Sequence, residues 1–155
     1  MNCLECGATD CARLRDDLLA RDFEQPALYW QYHRLAVDAY CVQHAAYVES
    51  AKSLAAHLCG LCIALERGND QGALRQLQRW LSTNPAIVKP ALPAHRGKVT
   101  IERLRGVSTP EEYGRSVEEW ARSAWDACRE LHYTARDWLL QASLSPPSAR
   151  RHQNR

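Results

Sequence analysis

The sequence has no apolar run near the roughly 18 residues that a membrane helix needs, because Arg, Asp, His or Gln interrupts every such stretch. Met1 leads into Asn-Cys-Leu-Glu-Cys rather than a basic then apolar leader, so the expected location is the cytoplasm, with no membrane partner. Glycine and proline number only 7 each in 155 residues, which excludes collagen-like and low-complexity chains. Lysine is scarce, with 3 against 17 arginines, and these 20 bases are interleaved with 18 acids. No basic face is therefore set apart for a phosphate backbone, and a nucleic-acid partner is disfavoured. There is no glycine-rich phosphate loop, no Glu-x-x-His pair and no His-Glu-x-x-His motif. The partner class left open is a protein or a small molecule.

What is present is enough for one hydrophobic core, since 46% of the chain is AVILMFWYC. Apolar residues recur at helical spacing. Asp10 can cap a helix to about Arg21, and Pro26 opens a long one to about Val48, with His33, Val37, Tyr40, Cys41, His44 and Val48 on one face. Ser50 can cap a third, ended by Gly68, and Asp70 a fourth to about Leu81. Pro85, Pro90, Pro93 and Gly97 then break the pattern, which predicts an ordered loop with one turn or a short extended piece at Val99 to Ile101. Thr109-Pro110-Glu111-Glu112 starts a fifth helix, and the stripe Val117, Ala121, Ala124, Cys128, His132, Ala135, Leu139 and Ala142 carries it to about Ala142. The expected fold is all-α: a single-domain bundle of about five helices over residues 1–144, with a metal-binding segment at 1–11 and a flexible tail at 145–155.

Seven cysteines cannot all pair within one chain, and no leader points to an oxidising compartment, so metal binding or burial is expected rather than a disulfide framework. Cys3-x2-Cys6 followed by Cys11 is half of a tetrahedral site, with Gly7 letting the chain turn. No second C-x2-C lies 15 to 20 residues on, so a zinc ribbon is excluded and the missing donor must come from a helix. His33 and His44 stand eleven residues apart on one helix, roughly 16 Å along the axis, so at most one joins the cysteines. A hairpin about residues 23 to 26 carries the Cys3 to Cys6 segment toward Cys41 and His44, which favours His44 as the fourth ligand of a zinc ion. A second fold about residues 49 and 50 makes His57 the substitute or additional ligand and sets Glu66 opposite His33. His33, Asp38, Tyr40, Gln43 and Glu66 are then candidates for a polar pocket. Cys41, Cys59, Cys62 and Cys128 sit in apolar stripes and are read as packing residues, as His132 is read as a hydrogen-bonded core residue.

Taken in order, Cys3-x2-Cys6-x4-Cys11, Pro-Ala-Leu-Tyr with His33, Val37-Asp38-Ala39-Tyr40-x2-Gln43-His44, His57-Leu58-x2-Leu61 and Leu65-Glu66-Arg67-Gly68 resemble a bacterial family of unknown function. The resemblance implies that the three cysteines, His33, Asp38, Tyr40, Gln43, His44 and His57 act together, and it supplies no reaction. Where that family has a proline after its histidine this chain has Ala45, which implies that the helix runs on. Two functions follow: a metal-binding helical protein whose zinc fixes the N-terminal segment on the helices, or a helical-bundle metalloenzyme with an open metal position served by His, Asp and Glu. Whether the protein is an enzyme stays open at this point.

Overall fold

A computed structural model describes residues 1–144, and the tail expected at 145–155 lies outside them. Six α-helices follow one another: α1 (Cys11–Glu24), α2 (Pro26–Val42), α3 (Ala51–Glu66), α4 (Gln71–Ser82), α5 (Pro110–Ala127) and α6 (His132–Leu144). Among the described residues there is no strand, only an isolated bridge between Asn2 and Thr9, and no helix is long and apolar enough to cross a membrane. The expected all-α bundle is the fold found.

Side-chain caps set three of the six helix starts. Ser50 and Ser53 form a reciprocal capping box, the Asp70 carboxylate accepts from Gly72 and Ala73 N–H, and the Thr109 hydroxyl accepts from Glu112 N–H. Asp10 stands at the α1 N-cap in a left-handed conformation, yet its side chain makes no capping bond. The first two helices form the expected hairpin, hinged on Gln25. Helix α2 is central, packing chiefly on α3 and α5, while α6 closes over α3 and α4.

Two helices end earlier than their stripes predict. Helix α2 stops at Val42 rather than reaching Val48, and a 3-10 turn over Ala45–Tyr47 follows. In a continuing helix the Tyr40 carbonyl would accept His44 N–H; here it accepts the His44 imidazole Nδ1–H at 2.6 Å, and His44 N–H drops back to the Cys41 carbonyl. The chain turns there because Gln43 points inward, donating to the Arg96 and Val99 carbonyls and accepting from Trp120 Nε1. The long fifth helix is likewise two. A 3-10 turn over Arg129–Leu131 separates α5 from α6, and His132 Nε2–H donates to the Trp125 carbonyl at 2.8 Å while its ring stacks on Trp125. In both places an imidazole shares a helix-end carbonyl with the backbone N–H of the C-cap residue, Gln43 on Tyr40 and Cys128 on Trp125. The stripe still reads the packing: Val117, Ala121, Ala124, Cys128, Ala135, Leu139 and Ala142 are all buried across the break.

The 83–100 segment is irregular, as its prolines require. Gln43 and the Ser123 hydroxyl, which accepts from Lys98 and Val99 N–H, hold it against α2 and α5.

Candidate metal centre

The N-terminal segment is a tight knuckle. Gly7 N–H donates to the Cys3 carbonyl, Cys3 N–H donates to the Ala8 carbonyl, and Gly7 takes φ +79°, a conformation that disfavours any side chain. Three contacts tie the knuckle to the bundle. Glu5 accepts from Ala45 N–H at 2.8 Å, Glu102 accepts from Thr9 N–H at 2.8 Å, and Arg105 donates to the Thr9 carbonyl at 3.0 Å.

The knuckle delivers Cys3 and Cys6 to Cys11, in the first turn of α1, and to His44, just past the end of α2. The four donor atoms all lie within 4.8 Å of one another, close enough to hold a metal ion. Cys6 Sγ and Cys11 Sγ are 3.6 Å apart, and Cys11 Sγ is 3.1 Å from His44 Nε2. A tetrahedral ion with bonds of about 2.3 Å needs sulfur separations of about 3.7 Å, so this donor set fits one. The His44 ring is held from both sides. Its Nδ1–H is committed to the Tyr40 carbonyl, which fixes the tautomer with Nε2 free toward the sulfurs, and the Tyr40 ring stacks on it at 4.0 Å. The Cys11 thiol donates to the Tyr40 hydroxyl at 3.4 Å.

The electrostatics suit a cation. Burial pushes the His44 pKa down, keeping the imidazole in the neutral form that a metal requires. Burial pushes Cys6 up to about 12, with the neighbouring Cys11 and Cys3 thiols adding to the rise; Cys11 is raised for the same first reason. At Cys3 burial also opposes ionisation, but backbone N–H groups of Cys6 and Glu5 and the adjacent thiols outweigh it and lower the pKa. Packed thiols that resist ionising together become stable thiolates once a divalent ion balances them.

The other site candidates are dispersed. His57 is not at the cluster: its Nδ1 lies 2.9 Å from buried Asp38 Oδ1, while Arg34 donates to the other carboxylate oxygen at 2.9 Å. The pairing of His33 with Glu66 does not occur. His33 Nδ1 meets Asp22, fully buried, at 2.8 Å, and Glu66 takes a two-pronged bond from Arg136. The shift has a simple cause, since the α1–α2 hairpin carries Asp22 onto His33 and α6 carries Arg136 onto Glu66. His33, Asp38, Tyr40, Gln43 and Glu66 thus serve five separate environments and form no common pocket: Tyr40 belongs to the cluster, and Gln43 anchors the 83–100 segment. Asp22, to which the Tyr113 hydroxyl also donates at 3.1 Å, Arg34 and Arg136 carry these contacts and are not signalled by the sequence as site residues. The only signal for Arg34 is its i,i+4 spacing to Asp38. Gly60 shows how tightly the Asp38 group is built, because a Cβ there would lie 2.1 Å from Asp38 Oδ2.

No curated protein and no solved structure matches the chain. A family of unknown function, DUF5946, matches residues 1–129, a span that holds all four donors, Asp38 and His57 and stops before α6. The chain belongs to that family.

Proposed function

We propose that the protein is a zinc-binding helical module in which Zn²⁺, held by Cys3, Cys6, Cys11 and His44, fixes the N-terminal segment across the end of α2 and the start of α1. The observation that carries this reading is the convergence of three thiols and one tautomer-locked imidazole within 4.8 Å. Soft thiolates with imidazole select zinc over the hard cations, and four protein donors fill a tetrahedron, leaving no position for water or substrate. The ion's role is therefore structural. It joins segments distant in sequence, and a reducing compartment such as the cytoplasm keeps the thiolates available. The face so ordered serves a protein partner.

An open catalytic metal position has less support. Among the described residues no second group of three or more His, Cys, Asp or Glu converges, and His33, His57 and His132 are each bonded to a carboxylate or carbonyl. Native mass spectrometry with elemental analysis of protein expressed with added zinc tests the proposal: one zinc per chain is expected, lost in Cys6→Ser and Cys11→Ser. A chain that carries no metal, or another metal in preference to zinc, refutes it.

A further inference from the structure

At the other half of α2 a cleft of about 600 Å³ opens between α2, α3, α4 and α5. Its size lies within the range of small-molecule sites, about 300–1,000 Å³. Trp30, Leu35, Leu65 and Leu74 supply apolar walls, and the Gln31 and Asn69 amides stand among them. Among the described residues the one cation lining it is Arg34. This guanidinium is held rigidly: Nε–H donates to Asp38 at 2.9 Å and Nη2–H to the Ala56 carbonyl at 3.0 Å. Two of its five N–H donors are thereby used, and three remain on a group that faces the cleft.

We propose that this cleft binds a small monoanionic carboxylate with an aromatic or branched apolar body, the carboxylate on Arg34 and the body against Trp30, Leu35, Leu65 and Leu74. The charge count selects one negative charge. Asp38 is shared by Arg34 and by His57, which its carboxylate helps hold protonated, so the trio carries a net single positive charge at neutral pH. Among the described residues no lysine and no second arginine lines the cleft to balance a phosphate dianion. The one acid there, Glu118, is paired with Arg122 at 2.8 Å and does not occupy Arg34. A pre-positioned guanidinium loses little freedom on binding, which is what makes a planar carboxylate its matched partner. This site is independent of the metal centre, since α2 alone separates Arg34 from Val42 by about 12 Å.

Phenylacetate titrated into isotope-labelled full-length protein tests the inference by NMR. Saturable shifts are expected at the Arg34 Nε–H and the Gln31 and Asn69 side-chain amides. Phenylacetamide, the same shape without the charge, should bind about tenfold more weakly or worse, as should Arg34→Gln to phenylacetate. Because Arg34→Gln also strips a partner from buried Asp38, Ala64→Leu provides the second variant: it fills the cleft from the α3 wall, leaves the Arg34–Asp38 pair in place, and should abolish binding with an unchanged melting temperature. Absence of saturable shifts at millimolar phenylacetate, equal binding of the amide, or undiminished binding in Ala64→Leu overturns the proposal. Phenyl phosphate binding as tightly as phenylacetate overturns the assignment to a monoanion.

Discussion

His44 and His57 stand at opposite kinds of site on the same helix pair, and they differ in one partner. Each anchors its ring through Nδ1. For His44 the partner is the neutral Tyr40 carbonyl, and burial, the dominant influence, lowers its pKa. For His57 the partner is the Asp38 carboxylate; burial works in the same downward direction, but the Asp38 hydrogen bond, followed by Cys41 and the Asp38 charge, raises the pKa to about 9. At His44 the carbonyl partner leaves a neutral ring whose Nε2 faces three thiols, whereas at His57 the carboxylate favours the protonated ring and, among the described residues, no group of donors converges there for a metal to displace the proton. Histidine count and spacing do not separate these roles; the donors gathered around each ring do, with the atom facing Nδ1 setting its resting charge.

The strongest way to break the comparison is to remove the metal. With free zinc at 100 to 1,000 times its dissociation constant, binding contributes about 3–4 kcal/mol to folding, and chelation should remove that amount. Cys3→Ser and Cys6→Ser should lose comparable stability and become insensitive to chelator, while Cys128→Ser, which only packs, should stay chelator-sensitive; thermal melts with and without chelator give the ranking. Equal shifts for all three variants would show that the ion does not organise the segment. Next in size is Gly60→Ala, whose Cβ must displace Asp38 Oδ2 from 2.1 Å. A cost of about 3 kcal/mol is expected with zinc content unchanged, since the strain falls on the His57 side of the comparison alone.

The pH dependence sharpens the contrast further. His57 has a folded pKa above its ordinary 6.5, so its contribution is full below pH 6.5 and disappears as pH rises toward 9, up to about 3 kcal/mol. His44 has a depressed folded pKa, so its contribution is present above 6.5 and is lost as pH falls below that value. Asp38→Asn should abolish the alkaline loss, return the His57 NMR titration toward an ordinary histidine value, and cost about 2 kcal/mol near neutrality. The acid limb should survive it. An alkaline limb unchanged by Asp38→Asn would remove Asp38 as its source.

The metal half of this contrast is legible in the sequence and the carboxylate half is not, for physical reasons. Three cysteines in nine residues are a local signal, and hairpin register alone leads from them to His44. The contacts of His33 and Glu66 depend instead on which helix covers which, and neither Asp22 nor Arg136 differs in type or spacing from surface charges. Periodicity also overruns the ends of helices, because a stripe continues across a 3-10 turn without losing its face. That is why the pattern predicts α2 to Val48 and α5 joined to α6, although most stripe residues are buried as expected, with His33, Val37 and His132 half-buried. The missed stops at Val42 and Ala127 share one device, an imidazole spent on a helix-end carbonyl, visible only once side chains are placed.

The finest test concerns how much of His44's fitness as a ligand comes from Tyr40 rather than from the donor set. Tyr40 acts three ways: its carbonyl fixes the Nδ1 proton, its ring stacks on the imidazole, and its hydroxyl, which accepts from the Cys11 thiol, becomes the donor to that sulfur once a metal holds it as thiolate. Tyr40→Phe keeps the first two and deletes the third. Partners of metal ligands are commonly worth 10–100-fold in affinity, and this one bond, long at 3.4 Å and made to sulfur, should fall at the lower end. Competition with a chromophoric chelator should therefore show about tenfold weaker zinc binding, with the His57 titration untouched. The expected acid limb of stability would shift to higher pH, because a weaker ion competes less well with protons for the thiolates. Tyr40→Ala removes the ring as well and should weaken zinc further than Tyr40→Phe. If the two variants bind zinc equally, stacking does not orient the imidazole, and the backbone carbonyl alone holds the His44 ring toward the thiols.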